Sequence, residues 1–215
     1  MSGVPPGAGP GASHRLLSEK RLCLATHNAG KAREVAALLS EHGIAVVTAG
    51  ELGLPVPEET ETSFVGNASL KALAAARASG MVSLADDSGF SVAALDGAPG
   101  VYTADWAERP DGSRDYAQAM AKVERLARHS ADRAAWFSCA LAVAWPDGHV
   151  EAFLGEAPGR WVWPPRGGRG FGYDPMFVPD GEALSFAEME PGRKHAISHR
   201  AAAFRMLREA CLPTS

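Results

Sequence analysis

Four short clusters in the 215-residue chain combine residue types that could handle a polyanion. The first is Thr26-His27-Asn28-Ala29-Gly30-Lys31, between an apolar run and a stretch with helical spacing. A loop at a helix start offers backbone N–H groups and the positive end of the helix dipole to an anion, and Lys31 adds a compact charge suited to phosphate. The pattern is not the G-x-x-x-x-G-K-[ST] phosphate loop. The second cluster is Asp86-Asp87-Ser88-Gly89, where an apolar strand is expected to end. Adjacent carboxylates repel unless a divalent cation or hydrogen-bond donors offset them, and open α/β sheets bind ligands at the carboxyl ends of strands. Glu58 and Glu59, in the preceding loop, could bring a third carboxylate to the same cation. The third cluster is Arg169-Gly170-Phe171-Gly172-Tyr173-Asp174-Pro175, whose glycines leave room for a flat ligand against the Phe171 ring. Its spacing is not G-x-G-x-x-G, so a dinucleotide fold is not supported. The fourth is Lys194 with His199 and Arg200, three donors approaching one helix start. Cations there oppose the dipole, which points to an anionic or acceptor-rich ligand. Each cluster also has an ordinary structural explanation: a helix cap, an acidic turn, a buried aromatic, a solvated charge run.

The elements that must position these clusters follow from periodicity. Leu22 to Ala25 reads as a short buried strand. Val35, Leu38, Leu39 and His42 mark a helix stopped by Gly43, and Ile44 to Val47 a second strand. A loop with Pro55 and Pro57 follows; Ser63 caps a helix running to Ser79, with Gly80 at its end. Met81 to Ala85 is a third strand, and Ser113 to Arg128 is helix-like. Ala134 to Trp145 and His149 to Gly155 form strands joined at Pro146-Asp147-Gly148, and Arg160 to Trp163 adds another strand. Ser185 to Glu188 fits a capping box, and Ser198 caps a final helix with Phe204, Leu207 and Cys211 on its buried face. Strand–helix alternation early and a hairpin late predict a mixed sheet with flanking helices. Residues 1–20 are read as a disordered Gly/Pro-rich tail, because residues 2–13 hold no large apolar anchor, and 21–215 as the domain.

Composition narrows the class. Hydrophobic residues are 46% and charged residues 21%, ordinary globular usage. A net charge of −4 argues against a sequence-blind nucleic-acid binder, and no apolar run approaches the length of a membrane span. The N-terminus has no signal-peptide core, so the expectation is a cytoplasmic protein. The three cysteines Cys23, Cys139 and Cys211 form no C-x-x-C pair and read as core thiols.

The order and spacing of LATHNAGKAREV, EETETSFVGNASLKA, ADDSGFSVAALDGAPGVYTADWA, RGFGYDPMF and KHAISHR resemble the inosine triphosphate pyrophosphatase family, over nearly the whole chain beyond the tail. The resemblance implies an α/β fold with a mixed elongated sheet, flanking helices and two lobes around a central active-site cleft. It implies a homodimer and Mg²⁺-dependent cleavage of ITP, dITP or XTP between the α- and β-phosphates, cleansing the nucleotide pool. By motif match, Thr26, His27, Asn28, Ala29, Gly30 and Lys31 would hold the triphosphate. Asp87 would be general base and metal ligand, with Glu58 the second ligand. Ser88, Phe171, Gly172, Tyr173, Asp174, Lys194, His199 and Arg200 would contact substrate. Glu61 and Asp105-Trp106 depart from the family's usual residues.

The chemistry suits these residues without the family. Asp87 and Glu58 beside phosphates are repulsive unless Mg²⁺ bridges carboxylate and phosphate oxygens. Asp87 can then orient or deprotonate a water. Donors on Arg200, with His199, would favour a 6-keto purine over the 6-amino group of adenine. Two rivals stand beside this reading: a related enzyme acting on modified pyrimidines, and a nucleotide sensor without catalysis, for which a carboxylate poised beside phosphate has no use.

Overall fold

Residues 14–26, 28–55 and 57–212 are described by a computed structural model. The elements in chain order are β1 (Arg21–Leu24), α1 (Ala29–Ser40), β2 (Ala45–Thr48), α2 (Phe64–Ser79), β3 (Ser83–Val92), α3 (Tyr116–Ala127), β4 (Ala134–Ala144), β5 (Val150–Trp161), β6 (Phe177–Pro179), α4 (Pro191–Ile197) and α5 (His199–Cys211). The strands form one open six-stranded sheet in the order β2-β1-β3-β4-β5-β6. β1 is parallel to β2 and β3, and the pairs from β3 onward are antiparallel. The mixed sheet with helices on it is the architecture expected.

Local chemistry sets the helix ends. Asn28 caps α1, its Oδ1 accepting from the N–H groups of Gly30 and Lys31. Ser63 caps α2, Gly80 closes it in the left-handed conformation, and Asp115 and Ser198 cap α3 and α5. The reciprocal bonds of a capping box form at Ser185 and Glu188, at 2.7 and 3.2 Å. They close only a turn, because Pro191 starts a separate helix two residues after Met189.

The faces of the sheet are covered differently. Leu22, Leu24, Leu141 and Val143 pack with Val35 and Leu39 of α1 and Phe204 and Leu207 of α5. On the other face, Cys23, Ala85, Ala140 and Ala142 meet Ala68, Ala72 and Ala76 of α2; small residues on both sides let that helix lie close. A separate cluster of Phe90, Phe137, Phe177, Phe186 and Tyr173 with Met120 and Val123 of α3 fills the far end of the long strands. β3, β4 and β5 thus run through both lobes. The three cysteines are buried and unpaired.

Three boundaries differ from expectation. β3 does not end at Asp86: it continues to Val92, held by pairing with β4 from Ser83↔Ala144 to Val92↔Ala135. Cross-strand pairing overrides the poor strand propensity of Asp and Gly. The two strands expected at 149–155 and 160–163 are one, β5, whose Pro158 lies just before pairing with β6 begins at Gly159. Of the expected tail, residues 1–13 lie outside the described residues, but residues 14–20 pack on the domain. Leu17 is buried and its N–H donates to Cys211 O at 2.7 Å, while His14 Nδ1 is 2.8 Å from Glu151 Oε2.

Candidate active site

β1 pairs with β3 only at Cys23↔Ser83 and Leu24↔Leu84, so β1 leaves that edge of β3 free beyond Leu84. A cleft of about 730 Å³ opens there, lined by Thr26, Asn28 and Lys31, by Asp86, Asp87 and Ser88 of β3, and by Glu59 and Lys71. It leads into a narrow pocket of about 70 Å³ lined by Phe137, Phe171, Tyr173, Lys194 and His199, with Asn28, Lys31, Ser88 and Arg114 bordering both.

Because Asp86 and Asp87 lie inside a strand, their side chains point to opposite faces. Each carboxylate is answered by its own hydrogen-bond donors, one of the two ways expected to offset their repulsion. Asp86 faces α1 and α5: Lys31 Nζ is 2.7 Å from its Oδ1, Arg200 Nε donates to Oδ2 at 2.7 Å, and the Cys139 thiol donates to Oδ2 at 3.0 Å. Burial alone would raise its carboxyl, but Arg200 and Lys31 outweigh burial and hold it well below the usual carboxylate range. Asp87 faces α2. Lys71 Nζ donates to its Oδ1 at 2.8 Å and to Glu59 Oε1 at 2.9 Å. Oδ2 of Asp87 is buried with no partner. Burial pushes the Asp87 carboxyl up despite Lys71.

The loop before α1 contributes less open backbone than expected. Asn28 Oδ1 occupies the N–H groups of Gly30 and Lys31 at 2.9 and 3.1 Å, and Thr26 Oγ1 accepts from Asn28 N–H at 3.1 Å. What reaches the cleft is the Thr26 and Asn28 side chains and Lys31. Ala29 opens α1, and His27 lies outside the described residues.

The glycine-rich loop is built around Asp174. Gly170 has φ +74°, and a Cβ on it would lie 2.1 Å from Asp174 Oδ2, so only glycine fits. The buried carboxylate accepts from Phe171 N–H at 2.8 Å and from Lys194 Nζ at 2.6 Å. Lys194 Nζ also sits 4.9 Å from the centre of the half-exposed Phe171 ring. Gly172, at φ +66°, borders the narrow pocket. Tyr173 is buried, stacked on Phe90 at 5.1 Å, and donates to Thr103 O at 3.2 Å. His199 stacks on Phe137 at 4.9 Å with its Nδ1 buried and unpartnered, and burial pushes the imidazole well below its ordinary range.

Two of the expected residues lie away from the open cleft. Glu58 is exposed and makes no ion pair among the described residues; its neighbour Glu59 is the carboxylate that shares Lys71 with Asp87. Arg200 borders neither cavity. It is 1% exposed, tied to Asp86 and Glu34, and reaches the cleft through Ser88 Oγ at 3.2 Å. Lys71 itself was not singled out from the sequence. Its signal is a lysine on the face of α2 that otherwise carries Ala68, Ala72, Ala75 and Asn67. Glu34, on the exposed side of α1 by pattern, also joins the site through Arg200 and, at 3.9 Å, Lys194.

A carboxylate at the free edge of β3, faced by Lys31 of α1 and Lys71 of α2 and continued by an aromatic pocket, forms a site suited to an anionic ligand that carries a ring. The Ham1 family profile matches residues 22–210. A dITP/XTP pyrophosphatase of Rhodospirillum centenum is 58% identical over 200 residues, 92% of this chain and 97% of that protein. One of Gluconobacter oxydans is 53% identical, over 94% and 95%. The solved structure of a HAM1 protein from Coxiella burnetii superposes with a TM-score of 0.79 at 35% identity, covering 88% of this chain and 96% of that one. The chain belongs to the Ham1 family and, with that membership, is an enzyme.

Proposed function

We propose that the protein hydrolyses dITP, ITP and XTP between the α- and β-phosphates, releasing the monophosphate and pyrophosphate, with Mg²⁺ as cofactor. The observation that carries this reading is Asp87, a buried carboxylate with one oxygen fixed by Lys71 and the other unpartnered beside a cleft of nucleotide size. The relatives named dITP/XTP pyrophosphatase support the choice of substrate.

The donor set suits a hard divalent ion. Asp87 Oδ2 is free, and Glu59 meets the same lysine. A hard divalent ion of this kind takes one or two protein carboxylates and completes its shell with phosphate and water. Asp87 and Glu59 would hold it; bound there, it would neutralise phosphate charge and polarise the scissile bond.

Lys31 and Lys71, held in place by Asp86 and by Asp87 with Glu59, offer their remaining N–H groups to phosphate oxygens. Asp87 accepts the proton of the attacking water at Oδ2. The Lys71 bond at Oδ1 fixes its orientation for that role. The purine lies against Phe171, with Lys194 and neutral His199 bordering it. Lys194 can only donate, so a 6-keto acceptor gains what a 6-amino group cannot.

The nucleotide-pool role and a cytoplasmic location follow from this substrate choice; three unpaired buried thiols support the location. Among the described residues no helix is long and apolar enough to cross a membrane. A homodimer is supported by a broad depression of about 520 Å³ lined by exposed Tyr102 and Leu154 with Val65 and Trp136. The test is pyrophosphate release from dITP, ITP, XTP, ATP and GTP with and without Mg²⁺. Fast, Mg²⁺-dependent release from the first three is expected; equal rates on all five would overturn the specificity.

A further inference from the structure

Among the described residues, the lysines and arginines near the cleft are each answered by a carboxylate, with one exception. Lys31 is paired with Asp86, Lys71 with Asp87 and Glu59, Lys194 with Asp174, and Arg200 with Asp86. Arg114 lines both the cleft and the narrow pocket, is exposed, and has no carboxylate partner among the described residues. Its backbone is nonetheless fixed. Arg114 pairs with Glu108 in an antiparallel bridge, Asp115 N–H donates to Ala107 O at 2.6 Å, and the Asp115 side chain caps α3.

We propose that Arg114 binds the phosphate chain of the nucleotide at its sugar end. The inference rests on the nucleotide reading above. With the base against Phe171 and the outer phosphates toward Lys71, the sugar and first phosphate must cross the border shared by the two cavities, where Arg114 stands. The cleft is lined by four carboxylates, Glu59, Asp86, Asp87 and Asp105, against the cations Lys31, Lys71 and Arg114. A polyanion entering it therefore needs charge that does not have to be shared. The Arg114 guanidinium supplies this without breaking an existing ion pair, and its planar donors match phosphate oxygens.

The test compares wild type, Arg114→Gln and Arg114→Lys by calorimetric binding of dIMP and deoxyinosine, by KM and kcat on dITP and ITP, and by melting. Arg114→Gln is expected to weaken dIMP binding and raise KM for both triphosphates about tenfold. Deoxyinosine binding and the melting temperature should stay unchanged, and Arg114→Lys should recover part of the loss. Equal dIMP affinity in wild type and Arg114→Gln would overturn the proposal, as would a loss confined to ITP, which assigns Arg114 to the 2′-hydroxyl. If wild type releases no pyrophosphate from dITP while the dIMP difference persists, the activity reading fails and this inference stands.

Discussion

Replacing Asp87 with asparagine separates binding from turnover. The change is nearly isosteric, and the amide oxygen can still accept from Lys71, which keeps its second partner Glu59. What disappears is the basic oxygen Oδ2, buried without a partner. Burial already disfavours the ionised carboxyl in the folded state, so the neutral amide should change the melting temperature by only about 3 °C or less. Loss of a general base costs on the order of 10²–10⁴ in rate, about 3–5 kcal/mol in the barrier. The assay is pyrophosphate release from dITP at saturating Mg²⁺, beside calorimetric binding of dITP and a melting curve. Turnover should fall at least a hundredfold while dITP still binds. A variant that keeps more than a tenth of the wild-type rate would refute the role of Asp87 as base.

Three further outcomes follow from the surrounding structure. Arg200→Met strips a buried Asp86 of its closest guanidinium and should cost about 3–5 kcal/mol, lowering the melting temperature by roughly 10 °C; an unchanged melting curve would contradict the buried pairing. His199 is held neutral by burial, whereas an unfolded histidine takes up a proton near pH 6.5, so acid favours unfolding. As pH falls below about 6.5, wild type should lose stability relative to His199→Gln by up to about 1.4 kcal/mol per pH unit in denaturant titrations, and parallel curves would disprove it. A Cβ at Gly155 would lie 2.1 Å from Ala203 N and 2.4 Å from His199 O, so Gly155→Ala must push α5 off β5. A loss of about 1–3 kcal/mol with reduced dITP turnover is expected, and wild-type stability and rate would show that α5 adjusts freely.

The caps of α2 and α5 were legible because their signals are local: Ser63 and Ser198 bond to N–H groups within three residues. The continuation of β3 through Asp86-Asp87-Ser88-Gly89 was not. Its cause is β4, fifty residues away in the chain by order of magnitude, and local propensity argues against it. That continuation puts the two carboxylates on opposite faces, each with its own cationic partners. The same limit left Glu58 and Glu59, adjacent acids in one loop, unseparated in the sequence; the position of Lys71 sets Glu59 apart as the acid that pairs with it. Arg200 shows the complementary case: the motif marked it as important, and the fold gives it carboxylates to hold rather than open space to face.

The central claim is most directly tested by a ³¹P NMR time course of dITP with the wild-type protein and Mg²⁺. Cleavage between the α- and β-phosphates predicts deoxyinosine monophosphate and pyrophosphate appearing together in equal amounts, with no nucleoside diphosphate at any time. Orthophosphate accumulating with deoxyinosine diphosphate would place the cut at the wrong bond and contradict the account.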